Sequence, residues 1–356
     1  MPSFTILLLL IGASVLVACQ ANETPETAAP VVVTEIEQIE VPVAPGRLVI
    51  YSGRSESLVA PIIDQFAAAT GIQVEVRYGS TSEMAATILE EGSNSPADVY
   101  YAQDPGALGA LAARGLFVPL PAATLEKVAP RFAAADGTWV GISGRARVVV
   151  YNTDLVDPAD LPDDIWGFVE PQWRGRIGWA PTNGSLQAML TGMRSVWGEE
   201  RTREWVRGIQ ANEPVVYSNN TATVAGVATG EAAVGFVNHY YLYNFIAQEG
   251  EGFRARNYFL PNGGPASLIM VSGVGILQTA PNADNAQRFV DFLLSVPAQQ
   301  YFASRTNEYP VVEGVQTAPG LPPLAEIDAM AIDINLDDLA DLPGTGQMLS
   351  ELGVLP

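Results

Sequence analysis

From about Leu48 onward, strand-like and helix-like segments alternate regularly along this chain, and that alternation limits the fold more than any other feature. Leu48 to Tyr51 is a short apolar strand ending in Ser52 and Gly53. Leu58, Val59, Ile62, Ile63 and Phe66 then recur on one helical face, and Gly71 is placed to stop that helix. Ile72, Val74 and Val76 alternate as a strand. The run from Ser80 to Glu83 fits a capping box, followed by a buried stripe of Met84, Ala85, Ile88 and Leu89. Ala97 to Tyr101 is the next strand, Asp104 and Pro105 open a helix, and Gly115 closes it. Strands and helices of these lengths imply an α/β fold with a mainly parallel sheet covered on both faces.

A chain of 356 residues is too long for one ordinary core and suits two lobes. The stretch from Arg147 to about Pro261 supplies the second, with strands at Arg147 to Tyr151 and Ala232 to Val237 and a helix from Thr221 to Ala228. Trp166, Trp173, Trp179, Trp197 and Trp205 all fall there, and their bulk is read as core packing. Asp and Glu total 39 against 18 Lys and Arg, a formal charge of -21. Nucleic acids and anionic membrane surfaces require a basic footprint, so neither is an expected partner.

The N-terminus carries a different message. Phe4 to Ala18 is a run of apolar or small residues, too short to span a bilayer but suited to the core of a signal peptide. It ends in Leu16-Val17-Ala18-Cys19, which resembles a bacterial lipobox, with Cys19, the only cysteine, as the acylated residue. Residues 20–46 read as a Pro-interrupted tether, within which VVVTEIEQIEVPV alternates enough for a short strand. The expected location is extracytoplasmic, anchored to the membrane through Cys19.

Ligands of open α/β sheets bind beyond the carboxyl ends of the strands. Those ends carry Ser52 to Glu56, Ala102 to Asp104, Tyr151 with Asn152, and Asn238 to Tyr241. Tyrosines at strand ends serve as rim packing or as ligands. Phenolates are hard, anionic oxygen donors of the kind a ferric ion prefers, and a bound metal lowers a phenol's pKa from its usual value near 10. Arg54, beside a helix N-terminus, is a place to hold an accompanying anion. Arg145 and Arg147 are read as solvated, with an anion contact the lesser alternative. His239 is assigned a structural place, because neighbours on a strand face opposite sides. Asn219 and Asn220 are read as caps of the Thr221 helix or donors to the anion.

The runs LVIYSGRSESLVAPIIDQFAAATGIQVEVRYG, SPADVYYAQDPGALGAL, SGRARVVVYNTD and VNHYYLYN together resemble the periplasmic ferric-ion-binding proteins of ATP-driven importers. The resemblance implies the two-lobed type II periplasmic-binding fold, with the ligand cleft between lobes. It places lobe one at residues 47–146 plus 271–320 and lobe two at 147–270 plus 321–356. It implies Fe(3+) held by Tyr151, Tyr240 and Tyr241, with Glu56 as a possible added carboxylate. A synergistic anion, expected to be carbonate, would lie near Arg54, Ser55, Gln103 and Asn220. Ser55 stands where some branches have a histidine, Glu56 where some have a tyrosine, and Gln103 where one has a glutamate. The implied partners are an importer's permease and ATPase subunits, and the protein is expected to be a monomer.

An enzyme is the rival class, yet no phosphate loop, metal-hydrolase histidine pair or nucleophile elbow is present in the sequence. The closer alternative is a binding protein of the same fold for a phosphonate, polyamine, thiamine or oxyanion.

Overall fold

The computed structural model describes residues 46–332 and 334–355. The apolar leader, Cys19 and the tether with its alternating run lie outside the described residues.

The first lobe begins as the periodicity requires. Strand β1 (Arg47–Ser52) leads into helix α1 (Glu56–Thr70), which buries Val59, Ile62, Ile63 and Phe66. Gly71 ends α1 at φ 71°, a left-handed conformation that costs glycine nothing. Strand β2 (Gln73–Tyr78) and helix α2 (Thr81–Glu91) follow. The capping box forms in full: the Glu83 N–H donates to Ser80 Oγ at 3.2 Å, and the Ser80 N–H donates to Glu83 Oε2 at 3.3 Å. Met84 and Ile88 are buried as expected, but Leu89 is 39% exposed, because the stripe on this helix is only one residue wide at that turn. Strand β3 (Val99–Ala102), helix α3 (Pro105–Ala112) and the short helix α4 (Ala122–Leu125) complete the run. Gly115 lies in the turn beyond α3 at φ 67°.

Strand β4 (Val140–Asn152) is the spine of the molecule, buried along nearly its whole length. Beyond it come strand β5 (Ile177–Trp179), helices α5 (Gly184–Trp197) and α6 (Glu199–Ala211), and strand β6 (Val215–Val216). Helix α7 (Asn220–Thr229), strand β7 (Val234–Asn238), helix α8 (Tyr240–Glu249) and strand β8 (Ala255–Tyr258) finish this lobe. Strand β9 (Ile269–Ile276) returns to the first lobe, followed by helices α9 (Ala283–Leu293) and α10 (Val296–Arg305) and strand β10 (Tyr309–Pro310). Helices α11 (Leu324–Met330) and α12 (Leu342–Glu351) end the described chain.

The strand order is β2-β1-β3-β9-β4-β7-β5-β6, with β10 and β8 also on β4. The sheet is mixed, not mainly parallel. Pairs linked by helices, β1 with β2 and β3 and β5 with β6 and β7, are parallel. All pairs involving β4 or β9 are antiparallel, because these strands carry the chain from one lobe to the other and back. The changeover on β4 is sharp. Ala146 is its last residue paired with β9, opposite Ile269, and Arg147 is its first paired with β7, opposite Asn238.

Three apolar clusters fill this frame. The first packs β1, β3, β9, α1 and α9, with Phe66 edge-on to Phe289 at 5.1 Å. Across the changeover, period-two alternation divides β4 between the other two. Val149 packs with Trp173, Trp179, Trp205 and Phe236, and Val148 and Val150 pack with Val224, Val227 and Leu242. Trp173, Trp179 and Trp205 are thus core, as their bulk suggested, and Trp166 and Trp197 pack partly buried against them. In the C-terminal segment, Ile327, Ile334, Leu336 and Leu339 pack in the first cluster, and Met348 and Leu349 in the second. Gly106 allows this crossing: a Cβ there would lie 2.7 Å from the Leu339 carbonyl oxygen.

Candidate functional site

Tyr240 and Tyr241 occupy the first turn of α8, directly after β7. Strand geometry ends at Asn238, because His239 already has helical angles (φ -57°, ψ -38°). The alternation on which the reading of His239 rested therefore does not apply. The two phenol rings stack, with centroids 4.3 Å apart and planes 28° from parallel. Burial pushes the Tyr240 phenol well above its usual range; Tyr241 raises it further, and Arg145 acts in the opposite direction.

Two arginines sit beside this pair. Arg145 and Arg147, expected to be solvated, are buried instead, each 2% exposed. β4 forces this, since its changeover lies under both lobes and their partners come from distant segments. Arg145 Nη2 donates to the carbonyls of Gln103 and Val271. Arg147 Nη1 donates to Asn238 Oδ1 at 3.0 Å and Ser185 Oγ at 3.3 Å. Neither forms a salt bridge among the described residues, and Arg147 Nε and Nη2 and Arg145 Nε have no hydrogen-bond partner there. Burial pulls the Arg147 guanidinium down to about 9, with the phenols of Tyr241 and Tyr240 acting to raise it and Arg145 to lower it. Arg145 has the carboxylates of Asp104 and Glu308 within electrostatic reach, whereas Arg147 has only the phenols. A buried cation without a counter-charge is costly, so the Arg147 corner favours an anionic occupant or ionised phenols.

Arg54 is arranged differently. Its Nη1 and Nη2 donate to both carboxylate oxygens of Glu308 at 2.8 and 2.7 Å, and Nη1 also donates to Gln103 Oε1 at 2.9 Å. Burial by itself would raise the Glu308 carboxyl, but the charge and hydrogen bonds of Arg54 outweigh it and hold it low. The guanidinium expected to hold an anion is already neutralised, leaving only Nε without a partner. Glu308 was not singled out from the sequence. A lone acid in the run Thr306 to Pro310, between a helix end and an apolar strand, was the available signal.

The remaining expected residues scatter. The antiparallel register sets Tyr151 opposite Val234 and Arg256, while Arg147 faces Asn238. Four residues of strand separate the two ends, about 13 Å along the ladder. Tyr151 packs at the edge of the tryptophan cluster, so the structure does not bring it to the tyrosine pair. Glu56 and Ser55 are exposed at the start of α1, and Ser55 makes no capping bond with its side chain. Asn220 is buried: its Nδ2 donates to Ser185 Oγ at 3.0 Å, and its Oδ1 is unpartnered. The cap of α7 is Asn219, which accepts the Ala222 N–H at 2.9 Å. Helix α5 also begins at this corner, with Asn183 as its cap.

His239 lies between the two groups. A carbonyl can only accept, so the 2.7 Å contact of Nε2 with Asn307 O makes Nε2 the protonated nitrogen. Nδ1 then accepts the Ala146 N–H at 3.1 Å. Burial lowers the His239 pKa to about 4.

Arg54, Gln103, Arg145, Arg147, Glu308, Asn220 and the tyrosine pair are thus linked by contacts or electrostatic reach, and Tyr151, Ser55 and Glu56 are not joined to them by any described hydrogen bond. Among the described residues no three His, Cys, Asp or Glu side chains are grouped to hold a metal. A cavity of about 1200 Å³ lies elsewhere, between residues 126–132 and 310–328, and none of these site residues lines it.

Comparison with known proteins agrees with this architecture. The family model described as bacterial extracellular solute-binding protein matches residues 61–328. The major ferric iron-binding protein of Neisseria meningitidis is 33% identical over 286 residues, 79% of this chain and 86% of the relative. Iron uptake protein A1 of Synechocystis is 32% identical over 353 residues, 96% of this chain and 94% of the relative. The crystal structure of iron-bound HitA from Pseudomonas aeruginosa superimposes with a TM-score of 0.81 at 33% identity, covering 87% of this chain and all of that one. The two-lobed fold is that of the type II periplasmic ferric-binding proteins.

Proposed function

The chain belongs to the bacterial extracellular solute-binding protein family, and on that premise we propose that it captures ferric iron in the cleft and delivers it to the permease and ATPase of an importer. As in the family at large, the role is binding for transport and not catalysis. The observation that carries the iron reading is the stacked Tyr240–Tyr241 pair beside buried Arg147, which forms no salt bridge among the described residues and has two nitrogens without a hydrogen-bond partner there. Two phenolates give a hard cation anionic oxygen donors, and the nearby arginine charge favours the ionised phenols. The names of the Neisseria and Serratia relatives at 32–33% identity support ferric iron, and that of the Synechocystis relative supports iron.

In this proposal a small oxyanion, carbonate in the first instance, completes the shell. Support for its seat comes from Arg147, Asn220 and Ser185 at the start of α5, because Arg54 is already engaged by Glu308. Lobe one comprises residues 47–146 with 271–320 and lobe two 147–270; residues 321–356, expected in lobe two, send Ile327, Ile334, Leu336 and Leu339 into the first apolar cluster and Met348 and Leu349 into the second. Closure is a hinge motion about β4 and β9. Cys19 anchors a monomer to the membrane; no described helix is long and apolar enough to cross one.

The test is titration of metal-free protein with a ferric chelate. A visible phenolate-to-iron band should appear at one equivalent, and Tyr241→Phe should abolish it while leaving the fold intact. A second reading has one observation in its favour: the unpartnered Arg147 and Asn220 atoms could seat an oxyanion alone. Oxyanion binding without any iron-dependent colour would select that reading.

A further inference from the structure

We infer that His239 is a positioning residue, and that its bond to Asn307 sets the paired tyrosines against the wall of the opposite lobe. This rests on the iron reading of Tyr240 and Tyr241. His239 is bonded at the residue where β4 passes from one half of the sheet to the other. Its N–H donates to the Ala146 carbonyl at 3.0 Å, and its Nδ1 accepts the Ala146 N–H. The ring therefore adds a side-chain rung to the ladder at the changeover. Its other nitrogen reaches Asn307, in the turn between α10 and β10.

That turn belongs to the first lobe, since Tyr309 pairs with Gly144 on β4. The ring lies between an aromatic group from each side: the Tyr309 centroid is 4.8 Å away and the Tyr240 centroid 5.8 Å. Asn257 Nδ2 donates to the His239 carbonyl at 2.8 Å, fixing the start of α8 from behind. Asn307 takes a left-handed conformation, φ 54°, one of only two non-glycine residues to do so among those described. Asparagine takes this region more readily than most side chains, here just past the C-cap of α10, and the His239 bond adds a constraint on it from the other lobe. Glu308 follows directly and pairs with Arg54. One chain of contacts thus runs from Tyr240 through His239, Asn307 and Glu308 to Arg54. Rotation of the second lobe about β4 moves the first turn of α8 relative to Asn307, and the imidazole resists it.

Two amides separate the bonds of this ring. An asparagine oxygen reproduces Nδ1 and keeps the Ala146 contact but is too short for Asn307. A glutamine amide reaches the position of Nε2 and can donate to the Asn307 carbonyl. Iron dissociation should accelerate by on the order of tenfold in His239→Asn, the effect of one lost hydrogen bond, with an altered phenolate band. His239→Gln should recover most of the wild-type rate and spectrum. Thermal melting of the metal-free variants reports folding separately. Asn307 supplies an independent pair: Asn307→Gly accepts a positive φ, whereas Asn307→Val resists it and should reproduce the fast dissociation. Equal rates in His239→Asn and His239→Gln, or Asn307→Gly faster than Asn307→Val, would overturn the inference. If wild-type protein shows no iron-dependent band at all, the iron reading itself fails instead.

Discussion

Glu308→Gln should destabilise this protein by several kcal/mol, although the residue is absent from any obvious sequence motif. The carboxylate receives two N–H groups from Arg54, and its Oε2 also accepts from Ser143 Oγ at 3.1 Å and Thr306 Oγ1 at 3.0 Å. Both partners are sealed from water, with side chains 0% and 1% exposed. Glutamine keeps one acceptor but sets an NH2 group against the second guanidinium nitrogen and the two hydroxyls. Breaking a buried pair from one side costs about 3–5 kcal/mol, because the other charge stays buried without compensation. For roughly 310 folded residues the unfolding entropy is about 0.65 kcal/mol per kelvin, so the melting temperature should fall by about 6 °C.

Acid should erase this difference. The Glu308 pKa is held below its ordinary 4.5 in the folded protein. Its contribution is therefore complete above that pH and is lost as pH falls through the lower folded value. Urea unfolding at pH 7 and at pH 3 measures both parts, and a cycle with Arg54→Met isolates the pair. If Glu308→Gln melts within about 1 °C of wild type at pH 7, or if the two substitutions simply add, the charge-pair account is wrong.

Tyr151→Phe should leave iron affinity and colour within about twofold of wild type, and Glu56→Ala likewise, since neither residue reaches the tyrosine pair; competition against a ferric chelator checks both. Arg147→Met should preserve the fold, since it replaces a buried cation by an apolar chain, yet weaken iron capture by about tenfold or more in a chelator-competition assay. Cys19→Ser should abolish labelling with a fatty-acid probe and release the protein from the membrane fraction, and recovery of unlabelled wild-type protein with residues 1–19 intact would oppose it.

Local features of the fold were legible wherever the determining contacts are close in sequence. The Ser80–Glu83 box, the α1 stripe and the Asn219 cap each depend on residues within a few positions, and each forms. Strand direction was not legible, because a period of two is the same in parallel and antiparallel ladders, and β9 comes back from residue 269 to enter between β3 and β4. Tyr151 was grouped with Tyr240 and Tyr241 because all stand near strand ends. Only the register reveals that β4 and β7 run opposite ways, so that the C-terminal ends of the two strands lie at opposite ends of the ladder. Arg145 and Arg147 look solvated from their neighbours, yet they are sealed by Gln103, Ser185 and Asn238, far away in the chain. Arg54 and Glu308 are 254 positions apart. The site was thus readable as a set of residue types at strand ends, but its charge balance depends on long-range pairing.

That balance bears on the anion. Three phenolates would neutralise a ferric ion unaided, but two leave it one charge short and the shell short of donors. The expected protein donors do not make up the difference: Gln103 is neutral and bonded to Arg54, Glu56 is exposed, and Glu308 is committed to its own arginine, while burial raises the Asp104 carboxyl and Arg145 lies within its electrostatic reach. Arg145 and Arg147 add two positive charges to the same corner. A divalent oxyanion such as carbonate brings two negative charges and two oxygen donors at once, and the unpartnered Arg147 and Asn220 atoms give it hydrogen-bonding groups to meet. On the proposed reading, iron capture without an added anion should therefore be weak and not merely slower. Affinity measured in degassed, carbonate-free buffer should fall by at least tenfold and return on adding bicarbonate, with a shift of the visible band. In Arg147→Met the bicarbonate response should be largely lost. Equal affinity with and without the anion in wild-type protein would mean that another protein donor fills the shell, and the two-phenolate assignment would have to be abandoned.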